Sequence, residues 1–180
     1  MDTVKNTLTI PVILICACLA FASGSESEAD NLHISVRLTT GEHSKDSTSK
    51  MTTITVERET IVLEEKISGG HRGGREAPLL KKFKLSRADR GKLLELIRAN
   101  NLLVTDSTEH SRGDGPSFGY FEIWVDLTLN GDKGAITISG PRNDIPIKEA
   151  KLYQNTLNLV RELYRIMNRQ DKSVHFEELL

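Results

Sequence analysis

From Phe121 to Leu129, apolar and polar residues alternate without a break: Phe121, Ile123, Val125, Leu127 and Leu129 against Glu122, Trp124, Asp126 and Thr128. A two-residue period is the side-chain spacing of a β-strand, so this stretch buries one face only. Asn130-Gly131 follows at once, and both residues tolerate the positive φ that the centre of a tight hairpin turn requires. Ile136 and Ile138 mark a return strand that stops at Gly140-Pro141. A chain with such a hairpin must find a second layer to cover the apolar face.

The same alternation recurs earlier. Leu32, Ile34, Val36 and Leu38 alternate with His33, Ser35, Arg37 and Thr39. Ile54 and Val56 alternate with threonines, and after Glu57-Arg58-Glu59 the chain resumes as Ile61-Val62-Leu63, which predicts a second hairpin. Gly41 to Ser49, Gly69 to Arg75 and Thr105 to Gly119 are polar or glycine-rich and read as loops. Phe83 and Leu85 share one side of a short extended segment. Ser86-Arg87-Ala88-Asp89 has the form of a capping box, with Ser86 facing the free amides of the first turn. Leu93, Leu94 and Ile97 then make an apolar helical face that ends at Asn100-Asn101, with Leu102 and Leu103 turning into the core. A last helix, from Lys148 to Arg169, carries apolar residues at Leu152, Tyr153, Leu157, Val160, Leu163, Tyr164 and Met167. Strands, helix, hairpin and helix in that order predict an α+β fold, with an antiparallel sheet of about five to six strands and two helices in a two-layer sandwich.

Residues 1–22 read as an address. Lys5 lies in a short leading segment, Leu8 to Leu19 is nearly all apolar, and Ala20-Phe21-Ala22 has the small-x-small form that a signal peptidase reads. The apolar run contains Pro11 and falls short of the ~20 residues of a spanning helix. The expected organisation is a signal peptide over 1–22, a Ser/Glu-rich flexible lead-in over 23–30, a single α+β domain over 31–170 and a frayed tail over 171–180. Both cysteines, Cys16 and Cys18, lie in the signal segment, so the mature chain is expected to be free of disulfides. The alternative is a lipobox with a lipid on Cys18, but the apolar residues that follow it speak against that reading. Lack of mature cysteines and of any Asn-x-Ser/Thr acceptor leans towards a bacterial exported protein, periplasmic or secreted.

Chemical motifs are sparse. Net charge is −1 with 27% charged residues, which gives no global electrostatic reason to expect nucleic acid or an anionic membrane as partner. Membrane contact is expected only through the signal segment or a lipid on Cys18. His33, His43, His71, His110 and His175 form no pair at metal-ligand spacing, so no metal is expected. Gly115-Pro116-Ser117-Phe118-Gly119 has the form Gly-x-Ser-x-Gly, but it lies in a polar loop without the strand-to-helix elbow that presents a nucleophilic serine. Glu64-Glu65 and Glu177-Glu178 are adjacent, a spacing that on a strand sends two carboxylates to opposite faces. Gly69 to Arg75 lacks the Lys-Ser/Thr and helix start of a phosphate loop and reads as a mobile connection.

Two features remain as a candidate partner-binding set. Arg112-Gly113-Asp114 holds a cation and a carboxylate apart in a polar loop, the arrangement an adhesion receptor reads, although such a tripeptide arises easily by chance. Trp124 sits on the polar face of the best strand, where another element is expected to cover it; uncovered, it marks a contact surface. No catalytic residue and no cofactor is assigned. The leading expectation is a non-catalytic binding, inhibitory or envelope-associated module with another protein as partner. The alternative is a hydrolase whose site is assembled from dispersed His, Asp and Glu residues, and the outlier is an adhesive factor using Arg112 to Asp114.

Overall fold

The computed structural model describes residues 31–42, 48–69, 77–103, 107–110, 119–142 and 149–176, all within one compact unit, Asn31–Leu180. The strands are β1 (Leu32–Glu42), β2 (Thr48–Glu57), β3 (Thr60–Gly69), β4 (Leu79–Lys84), β5 (Ser107–His110), β6 (Gly119–Leu129) and β7 (Asp132–Pro141). The helices are α1 (Arg87–Ala99), between β4 and β5, and α2 (Lys151–Gln170), after β7. The fold is α+β: seven strands form one sheet in the order β4-β3-β2-β1-β6-β7-β5, antiparallel except where β5 runs parallel to β7.

The sheet has one strand more than the upper end of the expected five to six, and β5 accounts for the difference. Ser107-Thr108-Glu109-His110 is polar and falls in a stretch read as loop. It becomes a strand only because β7 offers its free edge, pairing Ser107 with Ile136 and His110 with Ser139. Edge strands are short and polar for a physical reason, since one row of their backbone groups faces water.

β1 is the centre of the sheet, with β2 on one side and β6 on the other. Register follows from the alternation: a slip of one residue would turn every apolar side chain to the wrong face. Ile34, Val36, Ile54, Val56, Ile61, Leu63, Phe121, Ile123, Val125, Ile136 and Ile138 therefore point to one side and are all buried. One apolar cluster joins them to Leu93 and Ile97 of α1 and to Tyr153, Leu157, Val160, Leu163 and Met167 of α2. Phe121 meets Tyr153 edge to face, ring centroids 5.9 Å apart, the geometry that ring quadrupoles favour.

Local signals set the turns and helix ends. Asn130 and Gly131 take φ of 53° and 96°, as the β6–β7 hairpin demands. Arg58, at φ 52° in the β2–β3 turn, has its carbonyl held by the Arg90 guanidinium at 2.9 Å. At α1 the Ser86 hydroxyl accepts the Asp89 N–H at 3.1 Å. The Asp89 carboxylate takes the Ser86 hydroxyl at 2.7 Å and also receives Arg169 from the end of α2. Burial pushes the Asp89 carboxyl up, but the Ser86 and Arg169 contacts outweigh it and leave the group below the usual carboxylate range. Asn101, in the left-handed conformation, turns the chain at the end of α1, and Leu102 enters the core.

The expected frayed end needs correction over 171–176. Val174 is buried, Phe176 lies against Tyr164 with ring centroids 5.1 Å apart, and Asn168 donates to the Val174 carbonyl at 2.8 Å. Lys81 of β4 reaches Asp171 and Ser173, each at 2.7 Å. The segment is held because it carries two apolar side chains to an open end of the core.

Candidate partner-binding face

The alternate positions of every strand form a second sheet face, and its residues remain exposed or half-buried, Gly41 excepted. Cross-strand pairing arranges them in rows. One row runs Leu80, Glu64, Thr53, Arg37, Trp124, Thr137 and Thr108, from one edge of the sheet to the other. Trp124 is 41% exposed, so none of the described residues supplies the expected cover. Both helices lie against the apolar face, where the core is, and none of the described elements remains for the other side.

Arg37 sits directly opposite Trp124 on β1, its guanidinium carbon 5.6 Å from the ring centroid. A cation over an indole face is stabilised by about 0.5–1 kcal/mol at an exposed site. Arg37 makes no ion pair among the described residues, so its charge stays available. The flanking outward residues of β6, Glu122 and Asp126, border the indole with carboxylates, while β1 and β2 contribute Ser35, Thr39, Thr53 and Thr55. The result is an open, polar, hydroxyl-rich surface with one aromatic–guanidinium plate near its middle.

Arg37 was not legible as part of this site. It occupies an ordinary polar position of β1, far from Trp124 in the chain, and only the β1–β6 register brings the two together. A second pair escaped for the same reason: His110 Nδ1 lies 2.5 Å from Ser139 Oγ across the β5–β7 ladder. This serine–histidine contact lacks the third member of a nucleophilic triad, because no carboxylate bonds His110 among the described residues. Glu122 stands opposite Ser139 on β6, on the side away from His110. That row orders serine between acid and base, whereas activation places the histidine between them.

The other candidates fall as follows. Arg112, Gly113 and Asp114 lie outside the described residues, as do Cys16, Cys18, His43, His71 and the Glu177-Glu178 pair. Glu64 and Glu65 point to opposite faces and bind separate cations, Lys66 at 2.8 Å and Lys50 at 3.4 Å. His33 lies 3.6 Å from Glu57, and His175 lies 3.5 Å from Asn168. No group of three His, Cys, Asp or Glu able to hold a metal occurs among the described residues, and no described helix is long and apolar enough to cross a membrane. A cleft of about 180 Å³, bounded by Gly41, Glu42, Lys50, Ile67 and Arg142, opens at the end of β1 to β3. It is smaller than the roughly 300–1,000 Å³ of sites that enclose a small molecule.

The chain matches no protein-family model, and no curated protein is significantly similar to it.

Proposed function

We propose that this chain is an exported, non-catalytic binding module, built as two layers with the helices on one side, that engages another protein through its open sheet face. The observation that carries the reading is the Trp124–Arg37 plate: a 41% exposed indole under an unpaired guanidinium, on a face no described element covers. Aromatic residues and arginine are the types enriched at the energetic centres of interfaces, the ring because it buries much area for few lost rotamers and the guanidinium because its planar fork stacks and presents several donors. The surrounding threonines and serines supply hydrogen bonds without the desolvation cost of charges. Export rests on the signal-like pattern of residues 1–22, and the Arg112-Gly113-Asp114 sequence lends the reading no weight.

A photoreactive phenylalanine placed at Thr137, beside Trp124, tests this in the cells that make the protein. A discrete cross-linked species is expected, and the Arg37→Ala/Trp124→Ala double variant should abolish it. Survival of the same species in the double variant refutes the reading. Covalent labelling of Ser139 by a fluorophosphonate, lost in His110→Ala, would favour a hydrolase instead.

A further inference from the structure

We propose that the outer edge of β4 is a strand-addition site for an extended, acidic segment of another protein. The inference does not depend on the face around Trp124. It rests on which backbone groups of β4 already have partners.

Leu85 donates to the Glu59 carbonyl at 2.8 Å, which sets the parity of the β3–β4 ladder: Leu85, Phe83 and Lys81 turn their backbone groups towards β3. Lys84, Lys82 and Leu80 therefore turn theirs outward. At Lys84 the outward groups are taken. The Gln170 amide accepts the Lys84 N–H at 3.0 Å and donates to the Lys84 carbonyl at 2.8 Å, as a residue of an eighth strand would. At Lys82 and Leu80, the next two outward positions, the N–H and C=O groups have no partner among the described residues. Gln170 is thus a side-chain imitation of strand pairing that closes one end of the edge and leaves the rest open.

Side chains at the open end favour one kind of occupant. Leu80 is 59% exposed, Leu79 is 43% exposed and Ile67 is 46% exposed, an unusual concentration of apolar surface at a sheet edge. Lys82 and Lys84 are exposed and form no ion pair among the described residues, whereas Lys81 is neutralised by Asp171. Lysines on an edge strand discourage pairing with a second copy of the same strand, because like charges would meet across the new ladder. An acidic strand removes that penalty. Antiparallel addition places an acidic residue opposite Lys82 and, two residues later on the same face, an apolar one opposite Leu80. Main-chain bonds then supply affinity and the alternate side chains supply selection, as in other strand-addition complexes.

The test uses a synthetic acidic peptide, acetyl-Glu-Thr-Glu-Thr-Val-Thr-amide, whose second glutamate and valine lie two residues apart on one face, and its lysine counterpart with both glutamates replaced, titrated into the isotope-labelled full chain. Amide shifts are expected to be largest at Leu80 and Lys82, with binding of the lysine peptide at least tenfold weaker. Lys82→Pro removes one outward N–H without touching the ladder to β3, and should weaken binding at least tenfold at unchanged melting temperature. Lys82→Glu keeps the backbone intact and should reverse the peptide preference, so it carries the test if the proline variant does not fold. The proposal is overturned by absence of binding at millimolar peptide, by equal binding of both peptides, or by shifts centred on Trp124 and Arg37. Self-association that Lys82→Pro abolishes would overturn it too, by making a second copy the occupant.

Discussion

Replacing Trp124 by alanine separates an open sheet face from a covered one by magnitude alone. An enclosed tryptophan removes ~150–250 Å² from water; at 41% exposure about half of that, ~100 Å², is at stake here. At ~25 cal/mol per Å² the loss is about 2.5 kcal/mol, an upper estimate because the denatured chain already shields part of the ring. Water fills the vacated space, so no cavity is left behind, and the contact with Arg37 adds about 0.5–1 kcal/mol at most. The expected destabilisation is therefore about 1.5–3 kcal/mol, with a melting shift near 3–12 °C at ~2–4 °C per kcal/mol for a domain of this size. A covered indole would instead cost ~3–5 kcal/mol through cavity formation. Denaturant unfolding of the Trp124→Ala variant supplies the free energy, and iodide quenching of wild-type emission supplies the accessibility. A loss above about 3 kcal/mol together with weak quenching would refute the open-face geometry.

Acid should weaken the hold on the 171–176 segment only below the unfolded carboxyl value near 3.8. Hydrogen bonds from Lys81 and Ser173 hold the Asp171 carboxyl well below the usual carboxylate range; its stabilising effect is present above the unfolded value near 3.8 and fades as pH falls through the depressed folded one. Melting temperatures of wild type and Asp171→Asn, measured from pH 7 down to 2, should differ at neutral pH and converge in strong acid; a constant difference would show that the pair does not act this way. Asp89→Ala removes both the hydroxyl partner of Ser86 and the link to Arg169, and should destabilise by about 1–3 kcal/mol in urea unfolding; Ser86→Ala in the same background should add less than it does alone, and full additivity would refute their coupling. Gly131→Ala forces a side chain into a turn residue at φ 96°, with an expected loss of about 1 kcal/mol or more and no change in the β6–β7 nuclear Overhauser contacts; a neutral effect would mean the turn is not of the tight positive-φ kind.

Local chemistry made much of this fold legible. The Phe121–Leu129 alternation, the Asn130-Gly131 turn, the hairpin around Arg58-Glu59, the Ser86 cap and the apolar stripes of both helices are decided by neighbours two to four residues apart, and each stands where its pattern places it. Strand addition at the edges and contacts between distant segments follow another logic. Ser107 to His110 has no strand pattern of its own and becomes β5 only beside β7. Asp171 to Phe176 carries the polar composition of a loose tail, yet Tyr164 in the helix just before it and Lys81, 90 residues from Asp171, hold it. The candidate site divides in the same way. Trp124 stood out because an indole on a polar face breaks the local rule. Its exposure was settled elsewhere: two helices cover one side of a seven-stranded sheet, and both sit on the apolar side. Arg37 became its partner through the β1–β6 register, and Leu80 and Lys82 became an open edge through the parity of the β3–β4 ladder. Periodicity tells which face of a strand is buried; only the assembled sheet tells which strands are neighbours, and hence which polar residues meet on the face left open.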